Sequence, residues 1–309
     1  MVGLRPYRPA GFVVASQPLD EKTVIHNYGH GGAGITLSWG TSQLAVELAW
    51  QGECRDFAVL GCGAVGLATA RLLQQRGGQV TIYARDLPPH TTSNVAGGQW
   101  GAASVADSAR RTPAWDQQLE RASALAHRAF QDLLGDQYGV RWLEHYDLTT
   151  QPPGQRKSID NAVLEPKDSP FPGYYARRFS TMMIEPAHYL HQMMQDVLMF
   201  GGKIEVHNLQ NLEAIQQLPQ AVVFNCTGLG SRELFGDEEL IPVKGQLSVL
   251  LPQPEVDYAV VSGGLYMFPR RDGILLGGTH QRGNWSLEPD PVAEQKILAE
   301  HTRLFASLV

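Results

Sequence analysis

The chain has 309 residues, of which 43% are hydrophobic, and its formal net charge is −6. This composition can bury a large core and predicts one large domain or two intertwined ones. No block of like charge stands out, and no apolar run approaches the roughly 20 residues of a membrane span, which disfavours nucleic-acid-binding and membrane proteins. The three cysteines suit neither a disulfide framework nor a zinc site, so we expect reduced thiols and a cytoplasmic protein.

The first part of the chain predicts an extended, Pro-rich entry followed by a strand–turn–helix–strand unit. Apolar periodicity and glycine positions locate its elements. In chain order they are an extended segment at 1–20, a strand at 23–28, a helix at 36–50, a buried strand at 57–60, a helix at 67–75, a strand at 80–83 and a loop at 86–102. The last three regular elements form one βαβ unit, which packs with a right-handed crossover.

The second part mixes helices with short strands. In chain order we predict a helix at 114–135, an irregular Pro-rich excursion at 150–175, a helix at 186–200, strands at 203–206 and 221–225, short strands alternating with turns at 241–286, and a helix at 292–308. No internal repeat or low-complexity tract interrupts this pattern.

A glycine-rich turn, Gly61-Cys62-Gly63-Ala64-Val65-Gly66, follows a predicted strand and opens a predicted helix. Its three glycines allow a tight turn, close approach of the backbone to a pyrophosphate, and close packing of strand on helix. Free N–H groups and the positive helix end attract the phosphates. The spacing alone is weak evidence, but in this context it favours a dinucleotide site over a turn without a ligand.

The second strand of such a unit is expected to end in an acid that holds the adenosine ribose. Here Arg85 and Asp86 follow the predicted strand. Either Asp86 takes that role one position late, or Arg85 faces the cofactor, as an arginine does when it accommodates a 2′-phosphate. The second option keeps an NADP-linked enzyme as an alternative.

The most distinctive stretch is His26-Asn27-Tyr28-Gly29-His30-Gly31-Gly32-Ala33-Gly34-Ile35-Thr36. His26 and His30 are four residues apart, but the glycines around His30 disfavour the helix that a metal site of this spacing needs, so we predict no metal. We expect this backbone to contact a flat ligand. A helix N-terminus near Thr36 would then stabilise negative charge on a reduced ring system.

Two further segments carry candidate ligand-binding groups. Asn225-Cys226-Thr227-Gly228 follows an apolar strand, where strand ends line the ligand crevice of a doubly wound sheet, although an ordinary strand end fits equally well. Arg5 and Arg8 lie on a stiff, Pro-flanked segment. The planar fork of an arginine suits a carboxylate, although a surface position fits the spacing as well.

Together, these motifs resemble the D-amino-acid oxidase family, and the matches are spread over nearly the whole chain. The segments that carry the resemblance are Val59-Leu60 with the turn at 61–66, Thr91-Thr92-Ser93-Asn94-Val95-Ala96-Gly97-Gly98-Gln99-Trp100, Asn225-Cys226-Thr227-Gly228, Lys244-Gly245-Gln246, Tyr266 before Met267-Phe268-Pro269, the Gly-Gly…Gly-Asn-Trp pattern at 277–285, Gly3-Leu4-Arg5-Pro6-Tyr7-Arg8-Pro9, and the His-Asn-Tyr-Gly-His signature at 26–34. The last two are highly specific.

The resemblance implies a mixed α/β fold of two intertwined parts. One is a Rossmann-like FAD-binding domain at 1–98 and 181–240, and the other is an antiparallel-sheet substrate domain at 99–180 and 241–309. FAD is the implied cofactor, with its isoalloxazine against 96–100 and 30–36. The implied cofactor-binding residues are Gly61, Cys62, Gly63, Ala64, Val65, Gly66, Arg85, Asp86, Thr91, Thr92, Ser93, Gly97, Gly98, Gln99, Thr227, Gly228, Gly31, Gly32, Gly34, Ile35 and Thr36.

Two departures from the family pattern stand out. The arginine segment and the His-Asn-Tyr-Gly-His signature are C-terminal in the family but come first here, joined to the nucleotide-binding strand by residues 51–56. This order implies a circular permutation, which a fold tolerates where the original termini lie close together. The family often also has a lid-borne tyrosine before the Tyr266 position, and here that stretch is Val260-Val261-Ser262-Gly263-Gly264.

The implied activity is oxidation of a D-amino acid to its imino acid and then its 2-oxo acid, with O2 reduced to H2O2. Arg5 is expected to clamp the α-carboxylate with Tyr266 donating to it, and Gly32 to contact the substrate. The expected partners are a small D-amino acid and O2, with a homodimer left open.

Two other functions fit the sequence: an FAD- or NADP-linked dehydrogenase of a small amine or amino acid that does not use O2, and a non-catalytic flavoprotein. The substrate side chain is open as well. Basic residues near the expected pocket wall would suit an acidic D-amino acid, although each is more simply a surface charge; they are Arg270, Arg271, His280 and Arg282.

Overall fold

The computed structural model describes residues 1–50, 54–154 and 161–306, and it contains two β-sheets with helices packed on them. The first sheet has six strands: β2 (Val13–Leu19), β3 (Lys22–Tyr28), β4 (Asp56–Leu60), β5 (Gln79–Ala84), β9 (Lys203–Val206) and β10 (Val222–Asn225). Their order is β2-β3-β10-β4-β5-β9, and all neighbours are parallel except the antiparallel edge pair β2–β3.

The second sheet has nine strands: β1 (Val2–Tyr7), β6 (Val140–Thr149), β7 (Ala162–Leu164), β8 (Tyr175–Ile184), β11 (Ile241–Leu250), β12 (Tyr258–Ser262), β13 (Leu265–Arg270), β14 (Gly273–Gly277) and β15 (Gln281–Arg282). Their order is β1-β11-β14-β13-β12-β6-β8-β7, with β15 also paired to β11. The pairs are antiparallel except β6–β12. The expected mixed α/β fold, with a parallel nucleotide-type sheet and a second, mainly antiparallel sheet, is confirmed.

Seven α-helices connect these strands in the described residues. They are α1 (Gly34–Ala49), α2 (Ala64–Gln75), α3 (Pro113–Asp132), α4 (Pro186–Met199), α5 (Leu212–Gln216), α6 (Gly230–Phe235) and α7 (Pro291–Phe305). The largest apolar core lies where α1, α2 and α4 pack with the parallel sheet, and it includes the fully buried Phe57, Val59 and Leu67. Strands β4 and β10 are buried between helices on both faces, which explains their continuous apolar runs.

Most predicted elements occur within a few residues of the expected positions, and the differences have local causes. Helix α1 begins at Gly34 rather than Thr36, because its first residues face a cavity and the glycine costs little at a helix N-terminus. The extended entry at 1–20 is two separate strands, β1 and β2. Strands β6 and β8 were not predicted, since their buried and exposed positions alternate irregularly.

Three expectations fall partly outside the described residues. The joining segment 51–56 is described from residue 54. The irregular excursion at 150–175 is described except for 155–160, and it contains β7. The last predicted helix, at 292–308, is described to residue 306. Strand β1 joins the nine-stranded sheet through β11. Residues 2–7 were assigned to the FAD-binding part together with the rest of 1–98, but they belong to the nine-stranded sheet and not to the parallel one. The full division into domains stays a prediction. None of the helices described here is both long and apolar enough to cross a membrane.

Candidate FAD and substrate site

One cavity of about 1030 Å³ runs along the carboxyl ends of the parallel strands to the inner face of the nine-stranded sheet. Every residue predicted to bind cofactor or substrate lines it, except Gly66. The ligand crevice of an open parallel sheet lies at these strand ends, because the helices that follow them begin there. The structure thus brings together, in one space, residues that lie as far apart in sequence as Arg5 and Tyr266.

The glycine-rich turn joins β4 to α2 in a conformation that a larger residue would disrupt. Gly61 has φ +100°, and a Cβ at this position would lie 2.7 Å from the Cys226 carbonyl oxygen. A Cβ on Gly66 would lie 2.0 Å from the Gly61 carbonyl oxygen, so Gly66 lets the helix pack on the turn instead of lining the cavity. A Cβ on Gly63 would lie 3.1 Å from the Ser93 hydroxyl oxygen and would meet no other atom within 4 Å. The backbone of Gly63 is therefore open to the cavity.

Two helix N-termini open into the cavity. Residues Gly34 and Ile35 of α1 line it, as do Ala64 and Val65 of α2, and neither helix has a side-chain cap. The Ser93 hydroxyl accepts a hydrogen bond from the Ala64 N–H at 3.1 Å. The other first-turn N–H groups and both helix dipoles favour negative charge in the cavity, as on a pyrophosphate or a reduced flavin.

Arg85 and Asp86 follow β5 at one end of the cavity and pair with each other. The Arg85 Nη2 lies 2.8 Å from the Asp86 Oδ2, and both side chains are largely exposed. The carboxylate neutralises the guanidinium that a 2′-phosphate would need. Both residues line the cavity. Their contact with the adenosine, and the choice between them, stay predictions.

The Asn225-to-Gly228 turn is fixed by an internal hydrogen-bond network. The Asn225 carboxamide oxygen accepts from the Thr227 hydroxyl at 2.7 Å and from the Thr227 N–H at 3.2 Å. Its amide nitrogen contacts the His26 Nδ1 at 3.1 Å. The network holds Thr227 and Gly228 against the cavity and couples β10 to β3.

The two histidines considered as metal ligands each bond to another part of the protein. His26 Nε2 lies 2.8 Å from the Gln17 side-chain oxygen, and His30 Nε2 lies 2.8 Å from the Thr41 hydroxyl. Burial lowers the pKa of His30 to about 3, so the imidazole is neutral at neutral pH. These partners give both histidines a structural role in the described residues.

The backbone of residues 96–99 packs directly against strands of the nine-stranded sheet. A Cβ on Gly98 would lie 2.1 Å from the Ile184 carbonyl oxygen, and a Cβ on Gly97 would lie 2.9 Å from the Phe268 ring. The buried Arg270 Nη1 donates to the Ala96 carbonyl at 3.0 Å. Residues 96–99 and Gly101 line this cavity and Trp100 does not. The flavin contact expected over 96–100 stays a prediction.

Arg5 and Tyr266 meet in the same cavity. The Arg5 Nη2 donates to the Tyr266 hydroxyl at 3.3 Å, and the buried Arg5 Nη1 has no hydrogen-bond partner. Arg5 forms no ion pair with any described residue, and the charge is therefore available to an anion. Burial raises the pKa of Tyr266, an effect that the Arg5 charge partly opposes, so the phenol is protonated at neutral pH.

Two glycines make room for this pair. A Cβ on Gly245 would lie 2.4 Å from the Arg5 Nη1, and a Cβ on Gly277 would lie 2.1 Å from the Tyr266 Cζ. Both glycines lie in motifs that carry the family resemblance, Lys244-Gly245-Gln246 and Gly277-Gly278. The motifs could have indicated a role for them in the site, but none was predicted. Other cavity residues that it missed include Asn27, Leu247, Val261 and Phe268.

The other arginines considered as ligand-binding groups are engaged with acids. Arg8 Nε lies 2.9 Å from Asp237 and Arg8 Nη2 lies 2.7 Å from Glu239. The remaining pairs are Arg270 with Asp272, Arg271 with Asp136 and Arg282 with Asp107. None of these four arginines lines the cavity. Of the residues proposed for an acidic substrate, His280 does.

The stretch where the family often has a lid tyrosine forms a two-residue β-hairpin. Ser262 pairs with Leu265, and the turn residues Gly263 and Gly264 have φ +56° and +94°. Positive φ at both central positions matches the tight turn that the twist of paired strands favours. No long loop covers the cavity between β12 and β13.

The residues present fit an extended FAD. The crowded turn at Gly61 and the open helix N-termini suit its pyrophosphate, and the backbone at 31–36 and 96–99 offers a surface for its ring system. The cavity then continues past these segments to Arg5, which leaves space for a second, small anionic molecule.

Comparison with known proteins agrees with this geometry. Residues 56–309 match the family described as FAD dependent oxidoreductase (DAO). A D-amino-acid oxidase of Rubrobacter xylanophilus is 32% identical over 78% of this chain and 74% of its own, and a D-aspartate oxidase of Homo sapiens is 31% identical over 81% and 76%. The solved glycine oxidase of Bacillus cereus ATCC 14579 shares the fold with a TM-score of 0.64, at 15% identity over 82% of this chain and 81% of its own. The chain belongs to the DAO family of FAD-dependent oxidoreductases.

Proposed function

We propose that this protein oxidises a D-amino acid to the corresponding imino acid, which water converts to the 2-oxo acid and ammonia, with O2 as the final oxidant. The unpaired Arg5 in the FAD cavity is the observation that carries the proposal. A half-buried guanidinium with an unsatisfied Nη1 is costly in an empty site, and a carboxylate that accepts from it removes that cost.

Arg5 and Tyr266 together fit an α-carboxylate. The guanidinium presents a planar fork that can donate to both carboxylate oxygens. The protonated Tyr266 hydroxyl accepts from Arg5 and donates to the same anion, because a hydroxyl carries one proton and two lone pairs. The two residues would fix one end of the substrate and so orient its α-carbon. A Cβ on Gly32 would lie 3.7 Å from the Arg5 Cδ, so the Gly32 backbone packs beside the Arg5 side chain.

The side chains here position the substrate and take no proton from its α-carbon. FAD, when bound, supplies a two-electron acceptor for the hydride of the substrate's α-carbon and passes the electron pair to O2, giving H2O2. The cavity that contains Arg5 is also lined by the apolar side chains of Leu247, Val261 and Phe268, which we expect to limit the water around a bound substrate.

The test is the visible spectrum of the FAD-loaded protein, recorded anaerobically before and after addition of a pool of D-amino acids. Bleaching of the oxidised flavin, with one H2O2 formed per 2-oxo acid once air is admitted, is the expected result. Bleaching with little peroxide would instead show a dehydrogenase that passes its electrons elsewhere. A flavin that no amino acid bleaches would show a non-catalytic flavoprotein.

The NADP-linked alternative rested on Arg85, and the Arg85–Asp86 pair at 2.8 Å weakens it. Asp86 supplies the negative group that a ribose hydroxyl needs and at the same time repels a 2′-phosphate. We therefore expect NADP⁺ neither to displace FAD nor to reoxidise the reduced flavin.

We also propose that the order of segments is circularly permuted and that residues 1–98 with 181–240 and 99–180 with 241–309 form the two functional parts. Residues 1–55 lie outside the family match, yet they supply β1 to one sheet and β2 and β3 to the other. A rearranged chain in which residues 1–50 follow residue 309 through a flexible linker should still bind FAD. The cytoplasmic location and a homodimer stay predictions.

A further inference from the structure

Strand β9 forms one edge of the parallel sheet, and among the described residues only β5 pairs with it. The His207 N–H, just past β9, donates to the last carbonyl of β5 at 2.9 Å. Backbone groups alternate in direction along an extended strand, so Lys203 and Glu205 also direct their N–H and C=O groups to β5. Those of Ile204 and Val206 face outward, where they can pair with another strand.

This edge differs from two other strand edges of the protein. Pro6 lies in β1 and Pro18 in β2, and a proline has no N–H with which to pair a further strand. Strand β9 contains no proline. Exposed apolar side chains lie on it and beside it, since Val206 is 72% exposed, Met199 68% and Phe200 64%. A free edge next to exposed apolar side chains is typical of a surface that binds a partner strand.

The two faces of this edge carry different chemistry. Ile204 packs against the apolar core between the sheet and α4, so Val206, two residues further, projects to the same face beside the end of α4. Lys203 and Glu205 are exposed and project to the opposite face. There, burial and the Glu205 carboxylate raise the pKa of Tyr83 on β5. A partner strand therefore has to match an apolar row on one face and a lysine–glutamate pair on the other.

We propose that β9 pairs with the β9 of a second copy of this chain, antiparallel and about a two-fold axis at Ile204. Outward-facing residues lie opposite each other when the axis is at residue 203, 204 or 205. An axis at Lys203 places two lysines opposite each other and an axis at Glu205 two glutamates, and like charges directly opposite are destabilising. An axis at Ile204 places Lys203 of each copy opposite Glu205 of the other.

The same register covers the apolar face. Ile204 of each copy exchanges two backbone hydrogen bonds with Ile204 of the other. Val206 lies opposite Gly202, next to Phe200 at the end of α4, and these contacts occur twice because the interface is isologous. Two six-stranded sheets thereby become one sheet of twelve strands. Residues 207–209 line the FAD cavity of their own copy, so each copy keeps a complete site. The homodimer that the sequence left open gains a defined interface.

The first test measures the mass of the FAD-loaded protein by sedimentation velocity over a range of concentrations. The wild type should form a dimer, and Val206→Lys should weaken it roughly tenfold or more, because the interface would bury an unpaired charge. Val292→Lys is the matched control, since Val292 is 74% exposed on α7, which packs on the nine-stranded sheet. A monomeric wild type, or a dimer that Val206→Lys weakens no more than Val292→Lys does, would overturn the proposal.

The second test examines the register. Lys203→Glu gives each copy two acids at the pairing positions and Glu205→Lys gives it two lysines, so each variant alone should dimerise roughly tenfold more weakly than the wild type. Mixed in equal amounts, the two variants place opposite charges against each other at both positions and should form a heterodimer about as tight as the wild-type dimer. Normal flavin content of each variant shows that it is folded. A mixture that associates as weakly as its components would contradict the pairing of Lys203 with Glu205.

Discussion

The Arg5 guanidinium donates to the Tyr266 hydroxyl at 3.3 Å across 261 residues of sequence. Arg5 is on β1 and Tyr266 is on β13, two strands of one sheet that β11 and β14 separate. Both side chains cross glycines of the intervening strands, Gly245 and Gly277, and this is why they can meet. The contact defines the proposed carboxylate site.

Arg5→Lys should raise the KM for the amino acid strongly while FAD stays bound. A lysine keeps the charge but loses the planar fork, so the carboxylate loses about 2–4 kcal/mol of binding, or roughly 30- to 700-fold in kcat/KM. Steady-state kinetics with the flavin content recorded for each preparation measures this. Arg8→Lys is the matched control, because Arg8 pairs with Asp237 and Glu239 away from the cavity. Equal kinetic losses in both variants would show that Arg5 has no special role.

Gly277→Ala should damage the same site without removing any polar group. The added Cβ would lie 2.1 Å from the Tyr266 Cζ, so the ring must move and its hydroxyl leaves Arg5. We expect kcat/KM to fall at least as far as in Tyr266→Phe, which loses only the hydroxyl and about 1–2 kcal/mol. An alanine variant that is as active as the wild type, with normal FAD content, would show that the position of Tyr266 does not matter.

Asp86→Asn should weaken FAD binding, and Arg85→Gln should not. The amide keeps the shape of Asp86 but accepts a weaker hydrogen bond from the ribose, with an expected loss of about 1–2 kcal/mol. Removing the exposed Arg85 breaks only a surface ion pair, which contributes little. Flavin fluorescence during titration of the apoprotein gives both Kd values. The reverse order of effects would assign the adenosine contact to Arg85.

Stability of the FAD-loaded protein should fall as pH decreases from about 6.5 to about 4, in part through His145. Burial lowers the pKa of His145 to about 4, and its Nδ1 lies 2.6 Å from the Gln99 amide nitrogen. In this range the unfolded chain binds a proton that the folded protein does not, so the contribution of the neutral imidazole is complete above pH 6.5 and is lost toward pH 4.

His145→Gln should reduce that pH dependence while it keeps an acceptor for Gln99. Between pH 7.5 and 5 the free energy of unfolding of the variant should fall by about 1–2 kcal/mol less than that of the wild type, since one pKa unit corresponds to about 1.4 kcal/mol. Urea unfolding with excess FAD at both pH values measures the difference. Part of the dependence should persist, because burial lowers the pKa of His30 as well. Identical pH profiles would mean that His145 titrates normally in the folded protein.

Local patterns in the amino-acid sequence were enough to predict the nucleotide-binding half. The run Phe57–Leu60, the glycines at 61–66 and the strand near Val80 act through local geometry, in which a buried strand, a tight turn and a helix follow each other within about 30 residues. Such contacts are local in sequence, so composition and periodicity record them. The resemblance of the motifs to the D-amino-acid oxidase family also predicted residues that, apart from Gly66, all line the cavity, although they are fewer than half of the residues that do.

Which charged side chains lack an ion-pair partner depends on contacts between distant strands and loops, which the sequence did not reveal. Arg5 and Arg8 stand three residues apart in equivalent Pro-flanked positions, yet Arg8 is neutralised by Asp237 and Glu239 and Arg5 is not. Similarly, Arg282 forms an ion pair with Asp107, which comes from a distant loop, whereas His280 forms no ion pair with any described residue. Sheet register sets these neighbours, and the register depends on pairing between strands that are far apart in the chain. No local pattern in the sequence encodes that pairing, because its energy comes from the packing of the whole sheet.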